Sequence, residues 1–434
     1  MNTSRSHDRV ADMPTYALVD ANNFYATCEK IFDPSLANVP LVVLSNNDGC
    51  IVARSAEAKI LGIPMAAPMH QWKGFCAKHG VAIKSSNYTL YGDMSARMLA
   101  ILQKLCPEVE SYSIDESFLK LDGFGDVTAM GHEIRQTLQQ HIKVTCGVGI
   151  GPSKTLAKFA NHIAKKHPEY GGVFSVQGVT EAVFEKLMAS YSAGEVWGVG
   201  RQLSKRLAAD GIETVLDLSR CVAKAIHQRY GVVLAKTVRE LRGEACISFE
   251  DIAAPKQQII SSRSFATCLI DFQSIRAAVS HHLSRAAEKL RSQNSLCSHV
   301  YVMINTNRFR EQDPQYRQTI LTPLPHPSAD TSVLMKAAMA GLRKGFVAGF
   351  RYHKCGVMLG EIGQIDGLQT DLFATVDDPK RLRLMGLMDS INKRQGSGTL
   401  HVASTQLSAA WHMRADSRSP RYTTCWDELP VAYA

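Results

Sequence analysis

Apolar residues gather in short runs at 15–20 (TYALVD) and 40–44 (PLVVL), each too short for a helix, which predicts buried strands. Residues 55–61 (SAEAKIL) follow as a helix that Gly62 would stop. Between 92 and 106, Met94, Met98, Leu99, Leu102 and Leu105 recur at helical spacing. The stretch 109–121 (VESYSIDESFLKL) alternates like a hairpin, 141–151 (HIKVTCGVGIG) reads as a strand, and a helix is predicted over about 153–166. Strands alternating with helices in this way predict a mixed sheet with helices on one face, an α+β core.

Residues 185–247 read as helical, punctuated by Gly198, Gly200 and Gly211. From 257 the strand pattern returns (QQIISSRSFAT, HVYVMINT, CGVMLGEI) around two helices, SIRAAVSHHLSRAAEKLRSQ and TSVLMKAAMAGLRKGF. A second α+β unit is therefore expected over 256–360. After 361 the chain is rich in Gly, Asp and Ser without a clear core, and is expected to be a tail. Residues 1–12 precede a second methionine, Met13, and read as a dispensable leader.

Charge separates these segments. The chain of 434 residues carries a net +9, and residues 256–360, with 14 basic and 5 acidic side chains, account for all of it. A basic unit beside a neutral one suits a polyanion, since each neutralised phosphate releases counterions. No run of about 18 apolar residues is present, so no membrane span is expected. The eleven cysteines include no Cys-x-x-Cys pair, which argues against a zinc site or a disulfide framework and for a cytoplasmic protein.

Carboxylates stand where a core would not want them. Asp20 ends an apolar strand, and Asp115 and Glu116 interrupt another. Buried carboxylates must be paired, hydrogen-bonded or metal-bound. Three of them converging on one sheet edge would make a hard-oxygen site suited to Mg²⁺, and two such ions suit an in-line phosphoryl displacement. Strand-end carboxylates facing solvent would look the same.

The helix predicted after Gly151 adds a second signal. Lys154, Lys158 and Lys165 fall on one face, while Leu156, Phe159, Ala160 and Ile163 fall on the other and are expected against the sheet. The lysine stripe is then either solvated or a phosphate contact.

The wider motifs decide between these readings. Asp20-Ala21-Asn22-Asn23-Phe24-Tyr25 and Ser113-Ile114-Asp115-Glu116-Ser117 together resemble the signature pair of Y-family, lesion-bypass DNA polymerases. The phrases at 46–63, 87–95, 147–166 and 419–430 are similar to the UmuC subfamily, so the likeness runs from Met13 to the C-terminus.

The resemblance implies a right-hand polymerase and an error-prone translesion activity. A ferredoxin-like palm would take residues 13–30 and 92–185, and small fingers 31–91. A helical thumb with a helix–hairpin–helix would span 186–250, an α+β little finger 256–360, and a tail 361–434. Asp20, Asp115 and Glu116, with the Ala21 carbonyl, would hold two Mg²⁺ ions. Tyr25 would sit beneath the sugar and exclude a 2′-hydroxyl, with Phe24 packed beside it. Lys59 and Lys165 would hold the triphosphate of a deoxynucleotide, and Arg54 would meet the nascent base or a phosphate. Lys154, Lys158 and the Gly198-Val199-Gly200 hairpin would grip primer–template DNA. Gln369, Leu372 and Phe373 resemble the peptide by which bacterial polymerases attach to the sliding clamp. A processed UmuD-like dimer and a RecA filament are the further partners it implies. A nucleotidyl cyclase would share the paired carboxylates but has no use for the basic unit.

Overall fold

The computed structural model describes residues 14–249, 255–365, 377–396, 398–403 and 414–429. The chain forms two compact units, Met1–Ala253 with Asp416–Ala434, and Ala254–Ala415. No described helix is long and apolar enough to cross a membrane.

The first unit opens with strand β1 (Tyr16–Ala21) and helix α1 (Phe24–Phe32). A small sheet follows from β2 (Leu41–Leu44), β3 (Ile51–Arg54) and β4 (Ala82–Ser85), with α2 (Ala56–Ile60) and α3 (Met69–Lys78). The chain returns through α4 (Tyr88–Leu105), β5 (Val109–Ser111), β6 (Glu116–Lys120), α5 (Val127–Ile142), β7 (Cys146–Gly151), α6 (Lys154–Lys166) and β8 (Val173–Ser175). These strands complete a central sheet in the order β5-β6-β1-β7-β8, with β1 antiparallel to both β6 and β7.

Helices cover both faces of this sheet, not the single face that the alternation predicts. Ala17, Val19, Val148 and Ile150 pack with Met94, Met98 and Leu102 of α4 and Ile134 and Leu138 of α5. The other face carries Leu18 and Phe118 against Ala157 of α6. The reason lies in β7, whose CGVGIG alternates glycine with Val and Ile, so one face is apolar and the other bare. A Cβ at Gly149 would stand 1.9 Å from the backbone nitrogen of Asn161, so α6 lies on the strand as only glycine allows.

That close seat turns α6 over relative to expectation. Leu156, Phe159, Ala160 and Ile163 turn mainly into a core with Met188 and Leu207, meeting the sheet at its margin through Phe174 of β8 and, at Leu156, Gly151 of β7. This core belongs to the helices α7 (Glu181–Ser190), α8 (Arg201–Ala209), α9 (Val215–Arg220), α10 (Ala223–Tyr230) and α11 (Val232–Glu240). Buried Glu240 locks the junction by accepting from the Thr155 amide at 3.0 Å, in the first turn of α6. A carboxylate there also complements the helix dipole.

The second unit runs β9 (Ile259–Leu269), α12 (Phe272–Ser292), β10 (Ser295–Thr306), β11 (Arg317–Ser328), α13 (Thr331–Gly345) and β12 (Tyr352–Gln364). Its antiparallel sheet has the order β11-β10-β12-β9, with α12 and α13 packed into one core against it. Strand β11 escapes a reading by pattern because Pro323, Pro325 and Pro327 interrupt it. An edge strand tolerates this, since every second amide faces away from its neighbour.

The expected tail is folded over much of its length. Helix α14 (Pro379–Gln395) is tied to the second unit by the Arg291–Asp389 pair at 2.6 Å and the Arg381–Asp330 pair at 2.7 Å. Residues 416–429 belong to the first unit. The ion pairs that hold α14 leave no trace in hydrophobic periodicity.

Candidate active site

Strand register brings the carboxylates together. Asp20 on β1 is the cross-strand partner of Glu116 on β6, and the Ala21 amide donates to the Asp115 carbonyl at 2.9 Å. The Ser113 hydroxyl donates to Asp115 Oδ1 at 2.7 Å, holding that side chain at the same edge. Burial raises the Asp20 carboxyl above its ordinary range; Lys165 pulls it back, and Glu116 and Asp115 push it further up.

Two lysines of α6 answer this negative edge. Lys165 Nζ lies 2.6 Å from Asp20, and Lys158 Nζ lies 2.8 Å from Glu116. Among the described residues, no three Asp, Glu, His or Cys side chains close around a common ion position. The three carboxylates thus share an edge, as expected, without meeting at one point, because two of them are drawn to ammonium groups.

The lysine stripe is therefore neither a solvated face nor a free phosphate grip. Lys154, 2% exposed, pairs with Glu110 at 2.5 Å and donates to the Ser248 carbonyl at 2.6 Å. Its ammonium also lies over the rings of Phe118 and Phe249. This burial removes Lys154 from the candidate DNA contacts. Lys158 stays half-buried, 4.5 Å above the Tyr112 ring, whose hydroxyl accepts from Trp197 Nε1 at 3.1 Å. Tyr112 and Trp197 have no periodic signal of their own in the sequence, although each adjoins a motif residue.

A cleft of about 370 Å³ opens beside Asp20 and Asp115, lined also by Ala21, Phe24, Tyr25, Arg54, Lys59 and Lys165. Ser55 caps α2 by accepting from the Ala58 amide, which aims Lys59 from this short helix. Burial lowers the Lys59 ammonium, and the Arg54 and Lys165 charges lower it further. Arg54 donates to the Ile63 carbonyl at 2.5 Å, while its Nε is buried without a hydrogen-bond partner. Phe24 is buried in the core behind the cleft, whereas half-buried Tyr25 stacks on Tyr91 with ring centroids 4.4 Å apart.

Gly198 and Gly200 lie exposed in the turn before α8, Gly198 at φ +87°, a conformation that favours glycine. The element before this turn is a single 3₁₀ turn, Ala193–Glu195, instead of a full helix. Gln369, Leu372 and Phe373 lie outside the described residues.

The impB/mucB/samB family matches residues 19–162, and its C-terminal domain matches residues 256–372. Protein UmuC of Salmonella typhimurium is 42% identical, covering 95% of this chain and 99% of that protein. The chain belongs to the impB/mucB/samB family. Protein SamB of Salmonella typhimurium and Protein MucB of Escherichia coli are each 41% identical, over 96% of this chain and 99% of the relative. Residues 382–432 match a domain of unknown function, DUF4113.

Family membership agrees with the architecture. The Y-family DNA polymerase chimera Dbh-Dpo4(243-245)-Dbh aligns with a TM-score of 0.65 at 19% identity, over 81% of this chain and 99% of that one. The fold is thus that of a Y-family polymerase. All three edge carboxylates fall inside the impB/mucB/samB segment, while Lys165 stands just beyond it.

Proposed function

We infer that the protein is an error-prone translesion DNA polymerase, adding deoxynucleotides opposite damaged template bases. The observation that carries this is the juxtaposition of Asp20, Asp115 and Glu116 with a cleft that also holds Tyr25, Lys59 and Lys165. The central-sheet region would act as palm, the small sheet as fingers, α7–α11 as thumb and the second unit as little finger. The basic excess of 256–360 supports a DNA-straddling role for that unit.

The donor set fits divalent ions of the Mg²⁺ class: carboxylate and carbonyl oxygens, with cations already drawn to two of the carboxylates. Asp20, Asp115, Glu116 and the Ala21 carbonyl would hold two Mg²⁺ ions, which when bound activate the primer hydroxyl and take up charge on the leaving pyrophosphate. Lys165 and Lys59 would orient the triphosphate from opposite sides of the cleft. Arg54, with its unpartnered Nε, is suited to a phosphate or the nascent base. The Tyr25 ring would lie under the sugar and leave no room for a 2′-hydroxyl. Lys158 and the Gly198–Gly200 turn would serve the DNA backbone.

Sliding-clamp attachment through Gln369, Leu372 and Phe373, and work beside a UmuD-like dimer and a RecA filament, complete the reading. Template-dependent primer extension by the protein and by Asp115→Ala tests it. Extension should be lost in the variant, since metal ligands supply the main charge stabilisation. Normal extension by Asp115→Ala overturns the mechanism, and a cyclic product formed without DNA overturns the class.

A further inference from the structure

The cleft is backed by a layer that includes residues 416–422, far along the chain from α1. Tyr25 and Glu29 lie one turn apart on α1, and Asn87 and Tyr91 are spaced alike at the start of α4. The stack of Tyr25 on Tyr91, with ring planes 15° apart, joins the two helices. Tyr91 is fully buried and donates through its hydroxyl to Glu29 Oε1 at 2.6 Å.

Glu29 is itself 1% exposed, and burial raises its carboxyl above the ordinary range. Its second donor comes from the other end of the sequence: the Ser419 hydroxyl reaches Glu29 Oε1 at 3.0 Å. Asn87 Nδ2 donates to the Ser419 hydroxyl at 2.9 Å and to the Ser419 and Pro420 carbonyls at 3.0 Å. Tyr422 stacks on Phe32 of α1 at 5.2 Å. Upstream, Ser417 and Ser85 of β4 exchange two hydrogen bonds, and the Asp416 amide donates to Asp48 at 3.1 Å. Arg421 closes the segment on itself by clasping Glu428.

We propose that residues 416–422 are a positioning strap of the nucleotide cleft: Ser419 orients Glu29, Glu29 orients Tyr91, and Tyr91 sets the plane of the Tyr25 ring. The strap joins the small sheet to α1 and α4, the helices that carry Tyr25 and Tyr91. It falls within the DUF4113 match and gives the end of that region a task. Ser419, Glu29 and Tyr91 are positioning residues, because none of them lines the cleft. Removing one donor leaves a buried carboxylate short of a partner, an effect that spreads along the whole hydrogen-bonded series.

The consequence for sugar choice rests on the reading of Tyr25 as the steric gate, so the test separates the two. The full-length protein is measured as wild type, Ser419→Ala, Tyr25→Ala and the double variant, for single-nucleotide insertion of deoxy- and ribonucleotides. A parallel set carries 3-fluorotyrosine at position 25, read by fluorine NMR, with melting temperatures confirming that each variant is folded. Ser419→Ala should shift or broaden the fluorine signal. It should also lower the deoxy-to-ribo ratio about tenfold, the size of one missing hydrogen bond. Ser419→Ala should change nothing further in the Tyr25→Ala background, because both act through one ring. Tyr91→Phe, which keeps the stack and removes the donor, should reproduce the effect if Ser419→Ala fails to fold.

A fluorine signal unmoved by both Ser419→Ala and Tyr91→Phe overturns the strap. So does a selectivity change that persists in full without Tyr25. If Tyr25→Ala leaves the ratio intact while the fluorine signal moves in Ser419→Ala, the strap stands and the gate reading falls.

Discussion

Asp20 and Glu116 face each other across the antiparallel neighbours β1 and β6, and each is held by its own lysine of α6, Lys165 and Lys158. Like charges directly opposite destabilise a sheet, so this pair is tolerated only with cations beside it. The arrangement keeps a negative edge, the proposed seat of the divalent ions, at a cost to the fold.

That cost is measurable through Asp20. Its carboxyl titrates above the ordinary range in the folded protein, mainly because it is buried. A raised acid favours the folded state only while protonated, so the contribution is lost as pH rises through the folded-state value. Asp20→Asn should therefore melt at a higher temperature than the wild type at pH 7, and the gap should close toward about pH 4. Primer extension should be abolished in the same variant while DNA binding persists. Calorimetry showing Asp20→Asn less stable at neutral pH contradicts this account of the edge.

Lys154 separates structural from DNA-binding charge. Removing the buried ammonium takes away its pair with Glu110 and its bond to the Ser248 carbonyl, and loss of one partner of a buried pair costs about 3–5 kcal/mol. Lys154→Ala should lower the melting temperature markedly, yet leave the salt dependence of DNA binding unchanged. A flatter salt slope at unchanged stability would return Lys154 to the DNA interface.

The second unit should show the reverse behaviour. Arg308, Arg317 and Arg343 are exposed on it, and replacing all three with Gln should cost little stability. The slope of log affinity against log salt should fall by roughly one unit for each phosphate that is no longer neutralised. A slope equal to that of the wild type would make this charge a solvated surface.

Clamp attachment is tested with Leu372→Ala and Phe373→Ala together. An adjacent apolar pair anchors such a peptide in a partner's pocket, and tethering raises effective concentration without touching chemistry. Distributive extension on a short template should be unaffected, and stimulation by a loaded clamp should vanish. Stimulation that survives the double change assigns the tether elsewhere.

Local pattern determined much of this protein. The apolar run ending at Asp20, the hairpin carrying Asp115 and Glu116, and the α6 helix are each written in residues next to one another. Their motifs, in order along the chain, are enough to name the family. Which side of α6 meets the sheet is a different matter, because it depends on the bare glycine face of β7 at Gly147 and Gly149. Tertiary structure thereby placed Lys154 in a buried ion pair and set Lys158 and Lys165 against carboxylates. The same holds for the link from Ser419 to Glu29, two residues 390 positions apart joined by a hydrogen bond. Periodicity reports only which face of an element is apolar. Polar contacts between distant segments leave no period in the chain, so only the folded structure decides them.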